Sequence, residues 1–126
     1  MNHVPVTLLY GSATLLLLGL LGANVSRARG RTGLTDTPDK ELLRVIRAHG
    51  NCAEWAPALV LMLLLLELSG VAGLRLHLFG GAILLARIVH AAGVLLKSSI
   101  SVGGATLTYL LILAMPIYGL VLHFRG

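Results

Sequence analysis

From residue 4 to residue 25 the chain runs for 22 residues without a charged side chain. A helix of that length rises about 33 Å, enough to cross the roughly 30 Å hydrocarbon core of a bilayer. A secretory signal core is shorter and follows basic residues, and here no Lys or Arg precedes the run. Three more apolar stretches follow, and the spans read at about 4–25, 48–69, 74–96 and 105–123. With 56% hydrophobic and 12% charged residues, a chain of 126 residues lacks the polar surface that a soluble domain needs. The expected fold is an all-α membrane protein, one four-transmembrane-helix bundle over residues 1–126.

The polar residues are placed as topology demands. Arg27, Arg29, Arg31, Lys40, Arg44 and Arg47, six of the ten Lys and Arg residues, lie in or just after the loop at 26–39. Lys97 falls on the same side of a four-span bundle. Basic loops stay in the cytoplasm, so both termini are expected outside it, as in a multi-pass protein of a bacterial inner membrane. The net charge of +5 resides mainly in this loop, which argues for membrane orientation and against nucleic acid as a partner. Thr37 and Pro38 read as the N-cap and first position of helix two. Cys52 is the single cysteine, so no intrachain disulfide forms. His3, His77 and His123 fall at the predicted outer ends without a second ligand at metal spacing, and no metal site is expected.

One segment carries a physical penalty. Between residues 55 and 66 span two has 12 uncharged apolar residues, too few to cross alone, so it must take in the polar residues before Trp55. Arg44, Arg47, Asn51 and Glu54 stand 3, 4 and 3 residues apart, which places them on one helix face. Span three runs antiparallel. Its Arg87 and His90 lie about 15 Å and 10 Å from the end marked by Lys97, at depths comparable with Glu54. A buried carboxylate needs a partner, so a Glu54–Arg87 pair is expected, within one subunit or across an interface. The stripe has two readings. Either it pins the bundle together, or it lines an anion-binding pocket open to the cytoplasm. In the second reading arginines grip carboxylates through two parallel hydrogen bonds, and Asn51 both donates and accepts. A small zwitterionic peptide with several carboxylates fits that wall, with a lipophilic co-substrate held by bilayer-facing residues.

The run Arg47-Ala-His-Gly-Asn51-Cys-Ala-Glu54-Trp55-Ala-Pro57 resembles the helix-two signature of the membrane-associated proteins in eicosanoid and glutathione metabolism, the MAPEG family. That signature has Arg, Asn four later, Glu three beyond, an aromatic next, and Pro two further on. The segment Ala86-Arg87-Ile-Val-His90-Ala-Ala-Gly93 resembles helix three of the family's bacterial branch. The resemblance implies a homotrimer of four-helix subunits with glutathione, a co-substrate in the catalytic members, bound between neighbours near the cytoplasmic face. Those members conjugate its thiol to lipophilic electrophiles or reduce lipid hydroperoxides. Carried over, Arg47, Asn51, Glu54 and Trp55 contact glutathione, with Arg44, His49 and His90 beside them. His90 stands where eukaryotic enzymes commonly have Tyr, and Val94 where they have a second. Those enzymes also carry an Arg near the start of helix four that favours the thiolate. Residues 98–114 hold no Arg or Lys here, leaving Arg87, His90 and Lys97 as the candidate catalytic groups. Three functions follow in order: a membrane-bound glutathione transferase or peroxidase; a non-enzymatic scaffold of the same fold binding lipids or lipophilic ligands; and a small transporter, disfavoured because no broken-helix repeat is evident.

Overall fold

The computed structural model describes residues 3–32 and 37–126, and among them four helices carry the chain: α1 (Pro5–Thr32), α2 (Lys40–Leu68), α3 (Gly73–Leu95) and α4 (Ile100–Arg125). All four are long and apolar enough to cross a membrane. The helices α2 and α3 pack on each other, with α1 against both on one side and α4 against both on the other. Among the described residues α1 and α4 do not touch. The buried face of α2 is Leu42, Val45, Ala48, Cys52, Ala56, Leu59, Leu63 and Leu66, spaced three or four apart as a helical stripe requires.

Three boundaries differ from the sequence reading. The segment 26–39 reads as a loop, yet α1 continues to Thr32, and residues 33–36 lie outside the described residues. Polarity marks the membrane exit and does not end a helix: Ala and Arg are good helix formers, and Arg29 and Arg31 complement the C-terminal dipole. Second, α2 is capped by Asp39 rather than Thr37, its carboxylate accepting from Leu42 N at 2.7 Å. Asp outranks Thr at that position. Third, α4 starts at Ile100, taking in the Gly103-Gly104 pair that reads as loop. Gly104 serves packing: a Cβ there would collide with the backbone of His90 and with the Ala86 carbonyl, and one on Gly93 with the backbone of Ser101. These two glycines let α3 and α4 approach backbone to backbone, as small residues do in membrane interfaces. On α1, Gly11 packs against Val60 and Gly22 under His49, whereas Gly19 faces open space.

The outer end is tied by side chains. Glu67 reads as solvent-facing or paired with Arg75, but it caps α1, accepting from Val6 N at 2.9 Å and Thr7 N at 2.7 Å. Helix α1 starts at Pro5 behind Val4, which has no side-chain oxygen to cap it, so α2 supplies the acceptor. Arg75 instead donates to the Tyr118 hydroxyl at 2.8 Å. Replacing Glu67 with Ala is expected to cost about 1–2 kcal/mol, read as a lower unfolding temperature in micelles, because two helix-terminal donors lose their acceptor.

The two inter-helix turns use one device with different residues. Gly70 ends α2 in the left-handed region at φ 79°. Lys97 does the same after α3 at φ 55°, with Ser98 N donating to Gly93 O at 2.8 Å. A lysine is strained there and glycine is not. Lys97→Gly is expected to stabilise the fold by about 1 kcal/mol, measured in the same unfolding assay.

Candidate functional site

The site grows from α2. Taking Glu67, which caps the outer end of α1, as the outer edge of the span and counting back about 20 residues puts the inner hydrocarbon edge near Arg47. Glu54 then lies about 10 Å inside that edge. Arg47 and Glu54 are both exposed on the single chain. Their face continues through Leu61, Leu65 and Leu68, which are 57%, 49% and 49% exposed. Exposed leucines suit lipid, but charge at that depth costs on the order of 3 kcal/mol when it faces hydrocarbon. Among the described residues nothing covers these two charged groups.

Arg87 has the opposite setting. It is buried at 1% exposure between α2, α3 and α4. One guanidinium nitrogen donates to Asn51 Oδ1 at 2.7 Å and, more weakly, to the Asn51 carbonyl at 3.4 Å. The other donates to Thr108 Oγ1, whose own hydrogen goes to the Gly104 carbonyl at 2.8 Å. The expected Glu54–Arg87 pair is not formed within the chain: no carboxylate pairs with Arg87 among the described residues, and Glu54 points away from it on the exposed face. Arginine only donates, so the contact fixes the Asn51 side chain with its oxygen inward. Among the described residues the amide N–H donors of Asn51 have no partner. Antiparallel packing thus set the depth of Arg87 correctly to within one turn, while helix rotation decided its partner. Buried this way, Arg87 reaches the stripe through Asn51 and does not itself face an outside molecule.

The other candidate residues are dispersed. His90 is half-buried, and its Nδ1 donates to the Ser101 carbonyl at 3.0 Å. In the neutral ring that contact leaves Nε2 as the acceptor. Trp55 packs edge to face on Tyr109, ring centroids 5.3 Å apart at 71°, and Tyr109 is 56% exposed. His49 turns toward α1, over Gly22. Arg44 is turned toward α1 as well, in a recess shared with Arg27 and Arg31 rather than beside Arg47 and Glu54. Lys97 is exposed at the end of α3. Cys52 is buried among Leu21, Ala48, Ala56 and Ala91, with no access for an attacking partner. Thr108 was missed by sequence reading: a threonine in an apolar helix carries no signal until its neighbour across the interface is known.

An apolar groove of about 500 Å³ runs between α1 and α2, lined by Leu8, Gly11, Leu15, Ala56, Pro57 and Val60 among others. Its inner end meets Ala56 and Pro57, two and three residues beyond Glu54.

Fold and site define a four-helix, multi-pass inner-membrane protein with an ionic stripe set below the headgroups of its second helix. A family model described as the MAPEG family matches residues 7–121, and the chain belongs to that family. It is similar to the inner membrane protein YecN of Escherichia coli strain K12, with 32% identity over 90 residues covering 70% of this chain and 69% of YecN. The YecN of Escherichia coli O6:H1 strain CFT073 matches to the same extent.

Proposed function

We propose that the protein binds glutathione on the exposed α2 stripe, in a homotrimer whose neighbouring subunit covers it, and either conjugates its thiol to lipophilic electrophiles or reduces lipophilic hydroperoxides to alcohols and water while two glutathiones are oxidised to the disulfide. The observation that carries this reading is the exposure of Arg47 at the hydrocarbon edge and of Glu54 below it, with the Asn51 side chain between them held by Arg87. Arg47 supplies a guanidinium for a carboxylate, Asn51 two N–H donors, and Glu54 an acceptor for an ammonium or amide group. A trimer contact across α2 removes the cost of leaving these groups in lipid. The α1–α2 groove offers an apolar bed ending beside the stripe for the second substrate. His90, with Nε2 as acceptor, and Lys97 are the candidate groups for handling the thiol proton.

Glutathione at 100 times its dissociation constant is expected to stabilise the detergent-purified trimer by about 2.7 kcal/mol, because it binds the folded state alone. Arg47→Ala is expected to weaken that binding by about tenfold or more, the worth of a charge-assisted bidentate contact. Turnover with a chlorodinitrobenzene then reports catalysis separately from binding. A folded protein that millimolar glutathione leaves unshifted removes this reading. A second reading, a non-enzymatic lipid-binding scaffold, is favoured by the absence of Arg and Lys from residues 98–114, and it expects lipid in the α1–α2 groove with no thiol-dependent turnover.

A further inference from the structure

The recess between the end of α1 and the start of α2 lies apart from the stripe. It has a volume of about 260 Å³, and its wall is formed by Asn24, Arg27 and Arg31 of α1 and Glu41 and Arg44 of α2. Val45 and Leu95 also line it. Among the described residues three guanidiniums and one carboxylate, Glu41, line the recess, and Glu41 forms no ion pair with any of the three. Among the described lining residues positive charge thus exceeds negative by two.

Its height is fixed by α1. The apolar run ends at residue 25, and α1 stays helical to Thr32. Arg27 and Arg31 stand about 3 Å and 9 Å beyond the last apolar residue. The headgroup layer on each side of the hydrocarbon core is about 5–8 Å thick, so Arg27 lies within it and Arg31 at its outer edge, where a long side chain still reaches the lipid phosphates. On the same α1 face, one and two turns below Asn24, Leu20 and Leu16 are each 70% exposed. A molecule with its anionic head in the recess has an apolar wall directly beneath it for its chains.

We infer that this recess is a binding site for the headgroup of an anionic phospholipid, its phosphate held by Arg27, Arg31 and Arg44 and its acyl chains lying along Leu20 and Leu16. Guanidiniums suit phosphate because their paired N–H groups match two phosphate oxygens. Basic recesses between transmembrane helices on the cytoplasmic side recognise anionic headgroups in this way. The helical extension of α1 has a purpose here: it holds Arg27 and Arg31 one turn apart on one face, where a loop would not.

The test uses the full chain in zwitterionic micelles, titrated with phosphatidylglycerol while the unfolding temperature is followed. Parallel titrations use phosphatidylcholine, inorganic phosphate and glutathione. Phosphatidylglycerol is expected to raise the unfolding temperature saturably, and phosphatidylcholine and inorganic phosphate to leave it unchanged. Arg27→Gln with Arg31→Gln is expected to raise the half-saturating lipid concentration by about tenfold or more. Arg29→Gln removes a charge from the same helix end but lies outside the recess, and it is expected to keep the wild-type value. Equal weakening per charge removed in the two variants assigns the effect to diffuse surface charge and overturns the inference. So does stabilisation by inorganic phosphate that phosphatidylglycerol does not match, or glutathione stabilisation lost with Arg31→Gln, since either gives the recess to a soluble anion. If the double variant does not fold, Arg31→Gln alone, an exposed side chain in the last turn of α1, carries the comparison. Loss of glutathione binding in Arg47→Ala with the lipid response intact separates this site from the stripe.

Discussion

Asn51→Leu is expected to cost about 3 kcal/mol or more of stability in micelles, a large effect for a surface-adjacent side chain. Leucine branches at Cγ as asparagine does, so an unfilled cavity is not the cause. What is lost is the main oxygen acceptor of a guanidinium that is 1% exposed and has no carboxylate partner among the described residues. Hydrogen bonds to charged groups are worth about 1.5–3 kcal/mol each, and a stranded buried charge adds its own desolvation penalty. Thr108→Val strands the other side of the same guanidinium and is expected to cost a similar amount. The decisive measurement is a double-mutant cycle. In an Arg87→Met background, Asn51→Leu is expected to become nearly neutral, because no charge remains to satisfy. If the losses from Asn51→Leu and Arg87→Met simply add, the contact does not hold the bundle together.

Gly104→Val is expected to be the most damaging substitution on the α3–α4 face. Its side chain would occupy the space of the His90 backbone and the Ala86 carbonyl, and backbone cannot move aside as a flexible side-chain tip can. The helices must separate, with an expected loss of about 3 kcal/mol or more. The separation also pulls Ser101 from His90 and Thr108 from Arg87, so ligand binding should fall along with stability. Gly103→Val is the matched control: a Cβ at Gly103 meets nothing within 4 Å. It is expected to stay within about 1 kcal/mol of wild type, the difference set by backbone preference alone. Equal damage at both positions would show that helix propensity, and not close approach, governs this segment.

Taken together, the two substitutions separate the roles of the polar cluster. Arg87 ties α2, α3 and α4 at one level and sets the Asn51 amide, while Arg47 and Glu54 remain outward on α2. A residue that works through Asn51 is expected to change glutathione affinity when mutated without contacting the ligand. Arg87→Lys, which keeps the charge but loses the fork, should therefore weaken binding more than it weakens the fold.

By itself the sequence determined the number of spans and the shared face of Arg47 and Glu54 on α2, since hydrophobic period and bilayer thickness act locally along the chain. The depth of Arg87 was legible too, because antiparallel helices of known rise leave little freedom in height. The partner of Arg87 was not. Height fixes a level, but rotation about the helix axis chooses among Asn51, Glu54 and Thr108 at that level, and rotation is set by close contacts such as Gly104 on His90. Likewise Glu67 at the head of α1, Lys97 in a left-handed turn and the helical end of α1 depend on which elements meet in space. Sequence patterns encode what each segment buries; which side chain answers which across an interface is a property of the packed bundle.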